Sequence, residues 1–176
     1  MIKDVLQRIF MEAFALKRKI LILMTSLLIS ISLTACGEED PVMKQFKKDI
    51  NQFCDQISKI DTEINSINAD SEDAPDELLE QLDQLDTLFQ TFGEMDFPEE
   101  FDYLEEIADE SSSYMTTAVE NYHKAYGNYS YNEYVADYAK ENYSRAYKRV
   151  QIILSFLHGE TPDNVDLTMD DENVDE

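Results

Sequence analysis

Apolar residues recur at alternating spacings of three and four along residues 43–67. Such spacing places them on one face of an α-helix, in the heptad pattern typical of helices that pack against other helices. Pro41 suits the first turn of that helix, where its missing N–H costs no hydrogen bond. The pattern predicts a helix over residues 42–67, with a core face formed by Met43, Phe46, Ile50, Phe53, Ile57, Ile60, Ile64 and Ile67.

The same periodicity predicts three more helices, over residues 75–92, 98–126 and 131–158. Pro75 and Pro98 begin two of them, and each proline is followed by two acidic residues, which the positive end of the helix dipole favours. The third and fourth helices carry small residues among their core positions, so neighbouring helices can approach closely. Gly93 and Gly159 directly follow two of the predicted helix ends.

Four amphipathic helices with short connections predict an all-α fold, an antiparallel four-helix bundle in up-down-up-down order over residues 42–159. An extended three-helix or hairpin arrangement is the alternative. The second helix is predicted to be only about 25 Å long, against about 40 Å for the others. Either the hairpin of helices 3 and 4 therefore projects by roughly 15 Å, or residues 94–97 run extended back to the base. Residues 160–176 hold eight acids and no base, and they predict a disordered acidic tail.

Tyrosine is concentrated in the second half of the chain, with nine of the ten tyrosines between residues 114 and 147. Tyrosine combines a large apolar ring with a polar tip, which suits binding surfaces. We predict a partner surface around the turn between helices 3 and 4, formed by Tyr122, Tyr126, Tyr129, Tyr131 and Tyr134. The alternative is that these rings pack against alanines of the facing helix with their hydroxyls in water.

Six of the basic residues form two triads, one on the first helix (Lys44, Lys47 and Lys48) and one on the fourth (Arg145, Lys148 and Arg149). In an up-down-up-down bundle the start of helix 1 and the end of helix 4 share one end. The pattern therefore predicts a basic cluster that anionic lipid headgroups would attract by about 1 kcal/mol per residue. Ordinary pairing with acids four residues away, such as Glu141 with Arg145, is the alternative and contributes only tenths of a kcal/mol.

The N-terminal region begins with acidic and basic residues and then becomes apolar. The basic cluster Lys17-Arg18-Lys19 precedes an apolar and hydroxyl run over residues 20–32, which ends in Leu33-Thr34-Ala35-Cys36-Gly37. A charged region, a short apolar region and a small-residue cleavage site are the parts of a secretory signal peptide. The segment before Gly37 resembles the lipobox of bacterial lipoproteins. The resemblance implies a signal peptide over residues 1–35, cleavage between Ala35 and Cys36, a lipid on the Cys36 sulfur and a tether over residues 36–41.

An uncleaved transmembrane anchor is the alternative for this segment. The sixteen residues from Ile20 to Ala35 fall short of the roughly 20 that a spanning helix needs. Asp4 and Glu12 are unusual in a signal peptide, and Met11 is a second candidate start.

The charge of the chain excludes one class of partner. The formal net charge is −24, and from Cys36 onward 9 Lys and Arg face 36 Asp and Glu. Nucleic-acid binding needs basic patches that displace counterions, so we expect no nucleic-acid partner. Cys54 is the one further cysteine after Cys36, so lipidation of Cys36 would leave no intrachain disulfide.

Motifs of catalysis are absent from the sequence. There is no glycine-rich phosphate loop, no zinc-ligand spacing and no Gly-x-Ser-x-Gly elbow. A helical di-metal site needs a pair of Glu-x-x-His motifs, whereas Glu120-x-x-His123 occurs once and His158 lies on another helix. We therefore expect neither an enzyme nor a metal or cofactor site.

These observations together predict a lipid-anchored protein on the extracytoplasmic face of the cell membrane. We expect it to serve as a binding or adaptor module for a protein partner in the cell envelope. The alternative is a receptor for a small solute or a metal ion that uses the tyrosine-rich surface of helices 3 and 4.

Overall fold

The computed structural model describes residues 40–126 and 131–159. In chain order its elements are α1 (Pro41–Ser66), α2 (Ala74–Gly93), a 3-10 helix (Glu99–Leu104), α3 (Glu105–Tyr126) and α4 (Glu133–Leu157). The predicted all-α fold class is confirmed, and the bounds of α1, α2 and α4 agree with prediction to within two residues. The predicted signal peptide (1–35), most of the tether and the acidic tail (160–176) lie outside the described residues.

Local side chains set the helix starts. The Asp40 carboxylate accepts a hydrogen bond of 3.2 Å from the Val42 N–H, and Pro41 occupies the first turn of α1. The Asn132 side chain accepts from the Val135 N–H at 3.2 Å and so caps α4. Each cap satisfies an N–H that the helix itself leaves unpaired.

The third helix begins differently from the prediction. Residues 98–126 were expected to form one α-helix, but Pro98 is extended, a 3-10 helix follows, and α-helical geometry begins only at Glu105. The Glu105 carboxylate accepts a hydrogen bond of 3.2 Å from the Phe97 N–H, which ties the connection to the start of α3. Phe97 in the connection and Leu104 at the end of the 3-10 helix are both buried, so this irregular start places an apolar side chain in the core from each side of Pro98.

The heptad face of α1 forms one side of the core. Its six inner members are buried and the two end members, Met43 and Ile67, are half-buried. Burial of each such side chain contributes about 1.5–3 kcal/mol. Cys54, beside this face, is half-buried against the core, and burial raises the pKa of its thiol to about 11.

Stacked aromatic rings join α1, α2 and the connection after α2. Phe53 and Phe92 stack with centroids 4.1 Å apart and an angle of 9° between ring planes. The ring centroid of Phe46 lies 5.0 Å from that of Phe97 and 6.1 Å from that of Phe101. The connection therefore returns to the first turns of α1, which favours the extended alternative for residues 94–97 over a helix 3 that starts partway along the bundle.

Small residues allow α3 to lie close to its neighbours. Ser111 is fully buried, and its hydroxyl donates a 2.9 Å hydrogen bond to the Ala146 carbonyl of α4. Gly93 is the last residue of α2, and a Cβ there would lie 2.9 Å from the Ser112 Cβ. Gly93 thus permits close approach of α2 and α3, a role beyond the helix stop that the sequence predicts.

Candidate functional site

The tyrosines of the predicted partner surface differ strongly in exposure. Tyr122 is 8% exposed and belongs to the core, whereas Tyr134 is 84% exposed. Tyr126 and Tyr131 are half-buried and face each other with ring centroids 5.3 Å apart. Tyr129 lies outside the described residues. The surface as predicted therefore combines packed and exposed rings, and its role in binding stays a prediction.

Burial perturbs the phenols between α3 and α4. Loss of water raises the pKa values of Tyr122 and Tyr126, and the proximity of Tyr131 adds to both shifts. The Tyr126 hydroxyl is buried beside Tyr131, and hydrogen bonding with the Tyr131 side chain also contributes to the raised pKa of Tyr126.

A second tyrosine pair lies deeper in the bundle. Tyr143 and Tyr147 face each other with centroids 4.7 Å apart, and the Tyr147 hydroxyl lies 3.5 Å from an Asp61 carboxylate oxygen on α1. Burial raises both pKa values well above the ordinary value, and the Asp61 carboxylate contributes to both shifts. The sequence places Tyr143 on the core face of α4, but it does not indicate the contact of Tyr147 with Asp61.

One exposed tyrosine was missing from the predicted surface. Tyr138 is 49% exposed and follows Tyr134 by four residues on α4. Residues four apart lie next to each other on one helix face. The spacing was visible in the sequence and would have found Tyr138.

The basic triad of α1 lies at the start of the described chain. Lys44 and Lys48 are exposed, and Lys47 is half-buried. Lys47 lines a shallow apolar cleft of about 60 Å3 whose walls also include Met43 of α1 and Leu157 of α4. The start of α1 and the end of α4 therefore meet there.

The basic triad of α4 lies far from the end of that helix, and its two arginines contact the Tyr114 ring. Arg145 and Arg149 precede Leu157 by twelve and eight residues, or about 12–18 Å along the helix. Both guanidinium carbons lie over the Tyr114 ring, at 5.7 and 5.1 Å from its centroid. The structure thus does not bring the arginines to the α1 triad, and their attraction to lipid headgroups stays a prediction.

Carboxylates complete the arginine site. Arg149 Nε donates to a Glu110 carboxylate oxygen at 2.9 Å, and this arginine side chain is only 11% exposed. Arg145 donates to Glu141 at 2.8 Å, the local pairing given above as the alternative. Tyr114 together with Glu110 and Glu141 therefore binds two guanidinium groups between α3 and α4.

Replacing Arg149 with alanine should destabilise the protein by about 2 kcal/mol, because the half-buried Glu110 would lose its charge-assisted hydrogen bond with a largely buried guanidinium. Lys148→Ala removes the same charge from an exposed neighbour and should change stability by less than about 0.5 kcal/mol. Urea unfolding of both variants checks the difference. Equal losses of stability in the two variants would show that net charge, rather than the hydrogen bond with Glu110, determines the effect.

The histidines form no shared site. His123 Nε2 lies 2.6 Å from an Asp83 carboxylate oxygen, across the contact of α2 and α3. Glu120 pairs with Lys124 at 3.6 Å. Within residues 40–126 and 131–159, no group of three or more His, Cys, Asp and Glu side chains could hold a metal ion.

No helix in the part of the chain that the structure describes is both long and apolar enough to cross a membrane. Comparisons with protein-family models, with curated proteins and with solved structures found no match.

Proposed function

We propose that this protein is a lipoprotein anchored to the extracytoplasmic face of the cell membrane, and that its helical domain is a binding or adaptor module for an envelope protein. The supporting observation is the abrupt junction at residues 36–40. The lipobox-like segment ends at Cys36, and the first helix is already capped by Asp40. Four residues span at most about 14 Å, so a lipid on Cys36 would hold the domain close to the bilayer.

The contacts support an antiparallel, up-down-up-down arrangement for this domain. Between successive helices and the residues that flank them, the contact partner moves to an earlier position on the second segment as the position on the first moves later. The pairs are Phe46 with Phe97 and Phe53 with Phe92, Asp86 with Thr116 and Asp83 with His123, and Tyr103 with Phe156 and Tyr126 with Tyr131. The tether and the end of α4 then share the membrane-proximal end, and the α3–α4 turn lies at the opposite end.

Exposed aromatic rings on α4 support a protein-binding role. Tyr134 and Tyr138 place large apolar surfaces in water on a helix that could have carried any polar residue there. Tyrosine is enriched at the energetic centres of protein interfaces. The proposal includes no catalytic step and no cofactor.

The buried Tyr126 hydroxyl, beside Tyr131 between α3 and α4, favours a second candidate, a receptor for a small solute or metal ion. A stoichiometric small-molecule ligand would place a polar group on that hydroxyl. Thermal-shift screening of the purified protein separates the two candidates, because a saturable stabilisation by a small molecule favours the receptor. A single protein enriched by crosslinking in intact cells favours the adaptor.

Substitution of Cys36 tests the anchor. In bacteria grown with a clickable fatty acid, the wild-type chain should incorporate the label and lose residues 1–35, because the lipid is attached to the Cys36 sulfur. Cys36→Ala should incorporate none, as followed by in-gel fluorescence and by mass spectrometry of the N-terminal peptide. The matched control is Cys54→Ala, which should be labelled like the wild type. An unlabelled wild-type chain, or a labelled Cys36→Ala variant, would contradict the proposed anchor.

A further inference from the structure

Two exposed tyrosines lie one turn apart on α4. Tyr134 is 84% exposed and Tyr138 is 49% exposed. Their spacing of four residues places the rings on the same helix face, about one turn apart. We name Tyr134 and Tyr138 the tyrosine ridge. Its rings present flat apolar faces with a negative π-surface to solvent.

Acidic side chains lie beside the ridge. Glu133, Asp137 and Glu141 are all exposed. Asp137 and Glu141 follow the two tyrosines by three residues each, so each carboxylate neighbours a ring on the helix surface. Glu141 already accepts from Arg145, and Glu133 and Asp137 are the other two of these three acids beside the ridge. The ridge is thus an aromatic surface in a negative field.

A packed site between α3 and α4 combines a tyrosine ring, carboxylates and arginines. Tyr114 carries two guanidinium groups over its ring, at 5.1 and 5.7 Å from the centroid, while Glu110 and Glu141 accept their hydrogen bonds. A cation over a tyrosine face gains from the ring quadrupole, and arginine adds planar stacking and a hydrogen-bonding fork. The same pairing of ring and carboxylate occurs at the ridge, but there it faces solvent.

We propose that the tyrosine ridge, with Glu133 and Asp137, is the docking surface for an arginine-rich segment of a protein partner. This inference rests on the proposed adaptor function and names the chemistry of the partner. Charge complementarity supports a basic occupant, because the chain has a formal net charge of −24. Tyr134 also lies 23 residues before Leu157, which is about 35 Å along α4. The ridge is therefore far from the end of α4 that would lie near the tether.

Peptide binding to the full-length protein in detergent tests the inference. The probes are a fluorescent hexa-arginine peptide and its citrulline counterpart, which keeps the shape of arginine without the charge. At physiological salt, anisotropy should show binding of the arginine peptide only. The double variant Tyr134→Ala/Tyr138→Ala should weaken that binding at least fivefold, and Asp137→Asn should weaken it as well.

Tyr103→Ala is the matched control, because Tyr103 is 54% exposed but lies on the 3-10 helix. All three tyrosine substitutions keep the net charge, and alanine favours the helix, so circular dichroism should match the wild type. Affinity within twofold of wild type for Tyr103→Ala supports the ridge. Equal weakening by Tyr103→Ala would show that binding is not specific to the ridge, and no weakening by the double variant would assign binding to overall acidity. Either result would overturn the inference.

Crosslinking in cells separates this inference from the function on which it rests. If the double variant captures the same envelope partner as the wild type, the adaptor function stands and the ridge is not its docking surface. If the wild-type chain is unlabelled, or the Cys36→Ala variant is labelled, while the ridge still binds the arginine peptide, the anchor fails and the docking chemistry stands.

Discussion

Replacing Phe92 with alanine should destabilise the protein by about 3–5 kcal/mol, the largest loss that we expect from one substitution. Phe92 is 1% exposed. Its ring centroid lies 4.1 Å from that of Phe53, on which it stacks, and 6.3 Å from that of Phe97. Its ring therefore fills the junction of α1, α2 and the connection after α2. Alanine would leave a cavity there, since three separate segments cannot all move inward to close it. Urea unfolding followed by circular dichroism measures the change.

The same chemical change at a half-buried position provides the control. Phe156 on α4 is half-buried and lies edge-on to the exposed ring of Tyr103. Phe156→Ala should lower the free energy of unfolding clearly less than Phe92→Ala does, because water can enter the space that the Phe156 ring leaves. Equal losses at the two positions would contradict the central place that we assign to the Phe53–Phe92 stack.

The helices of this chain could be predicted because their signals are local. The core face of α1 follows from spacing alone, and all six inner positions of that face are buried. Asp40 and Pro41 lie directly before the apolar pattern and fix the start of the helix. The pairing of Glu141 with Arg145 is also local, since the two residues are one turn apart.

The start of the third helix could not be predicted in the same way. The apolar spacing from Phe101 onward suits an α-helix, yet residues 99–104 form a 3-10 helix. The contacts that accompany this geometry join Phe97 and Phe101 to Phe46, more than fifty positions earlier in the chain. Sequence periodicity carries no information about such distant contacts.

The candidate site was harder still to predict, because tyrosine and arginine serve both core and surface. Tyr122 and Tyr134 have the same side chain, but one is 8% and the other 84% exposed. Arg149 donates a hydrogen bond to the carboxylate of Glu110 on α3, 39 positions earlier in the chain. Which rings are packed and which arginines are engaged depends on the facing helix. Among the tyrosines of the predicted surface, the 84% exposed ring of Tyr134 lies on α4.

We expect the bundle to unfold cooperatively above pH 10. Burial raises the pKa values of Tyr122, Tyr126, Tyr143 and Tyr147 above the ordinary value of 10.0. In the unfolded chain these phenols ionise near pH 10, whereas in the folded protein they keep their protons. Stability is therefore fully present below pH 10 and is lost as the pH rises toward the folded pKa values, because unfolding then releases protons.

The size of this effect follows from the number of groups. Each buried tyrosine lowers the free energy of unfolding by about 1.4 kcal/mol per pH unit above pH 10. Tyr122 and Tyr147 are buried while Tyr126 and Tyr143 are half-buried, so about 5 kcal/mol per unit is the upper limit for the four together. Domains of this kind are stable by about 5–15 kcal/mol, so unfolding should follow within about three pH units. Phenolate absorbance and circular dichroism, recorded on the same samples, should change together.

Tyr122→Phe tests the assignment to particular phenols. The substitution keeps the ring and removes one ionising group, so the midpoint of alkaline unfolding should move to higher pH while stability at neutral pH is retained. Tyr134→Phe removes a hydroxyl from an 84% exposed ring and should leave the midpoint unchanged. Complete ionisation of the tyrosines with helicity intact would contradict their burial between the helices. A midpoint that Tyr122→Phe does not move would show that repulsion among the many carboxylates, rather than the buried phenols, drives the transition.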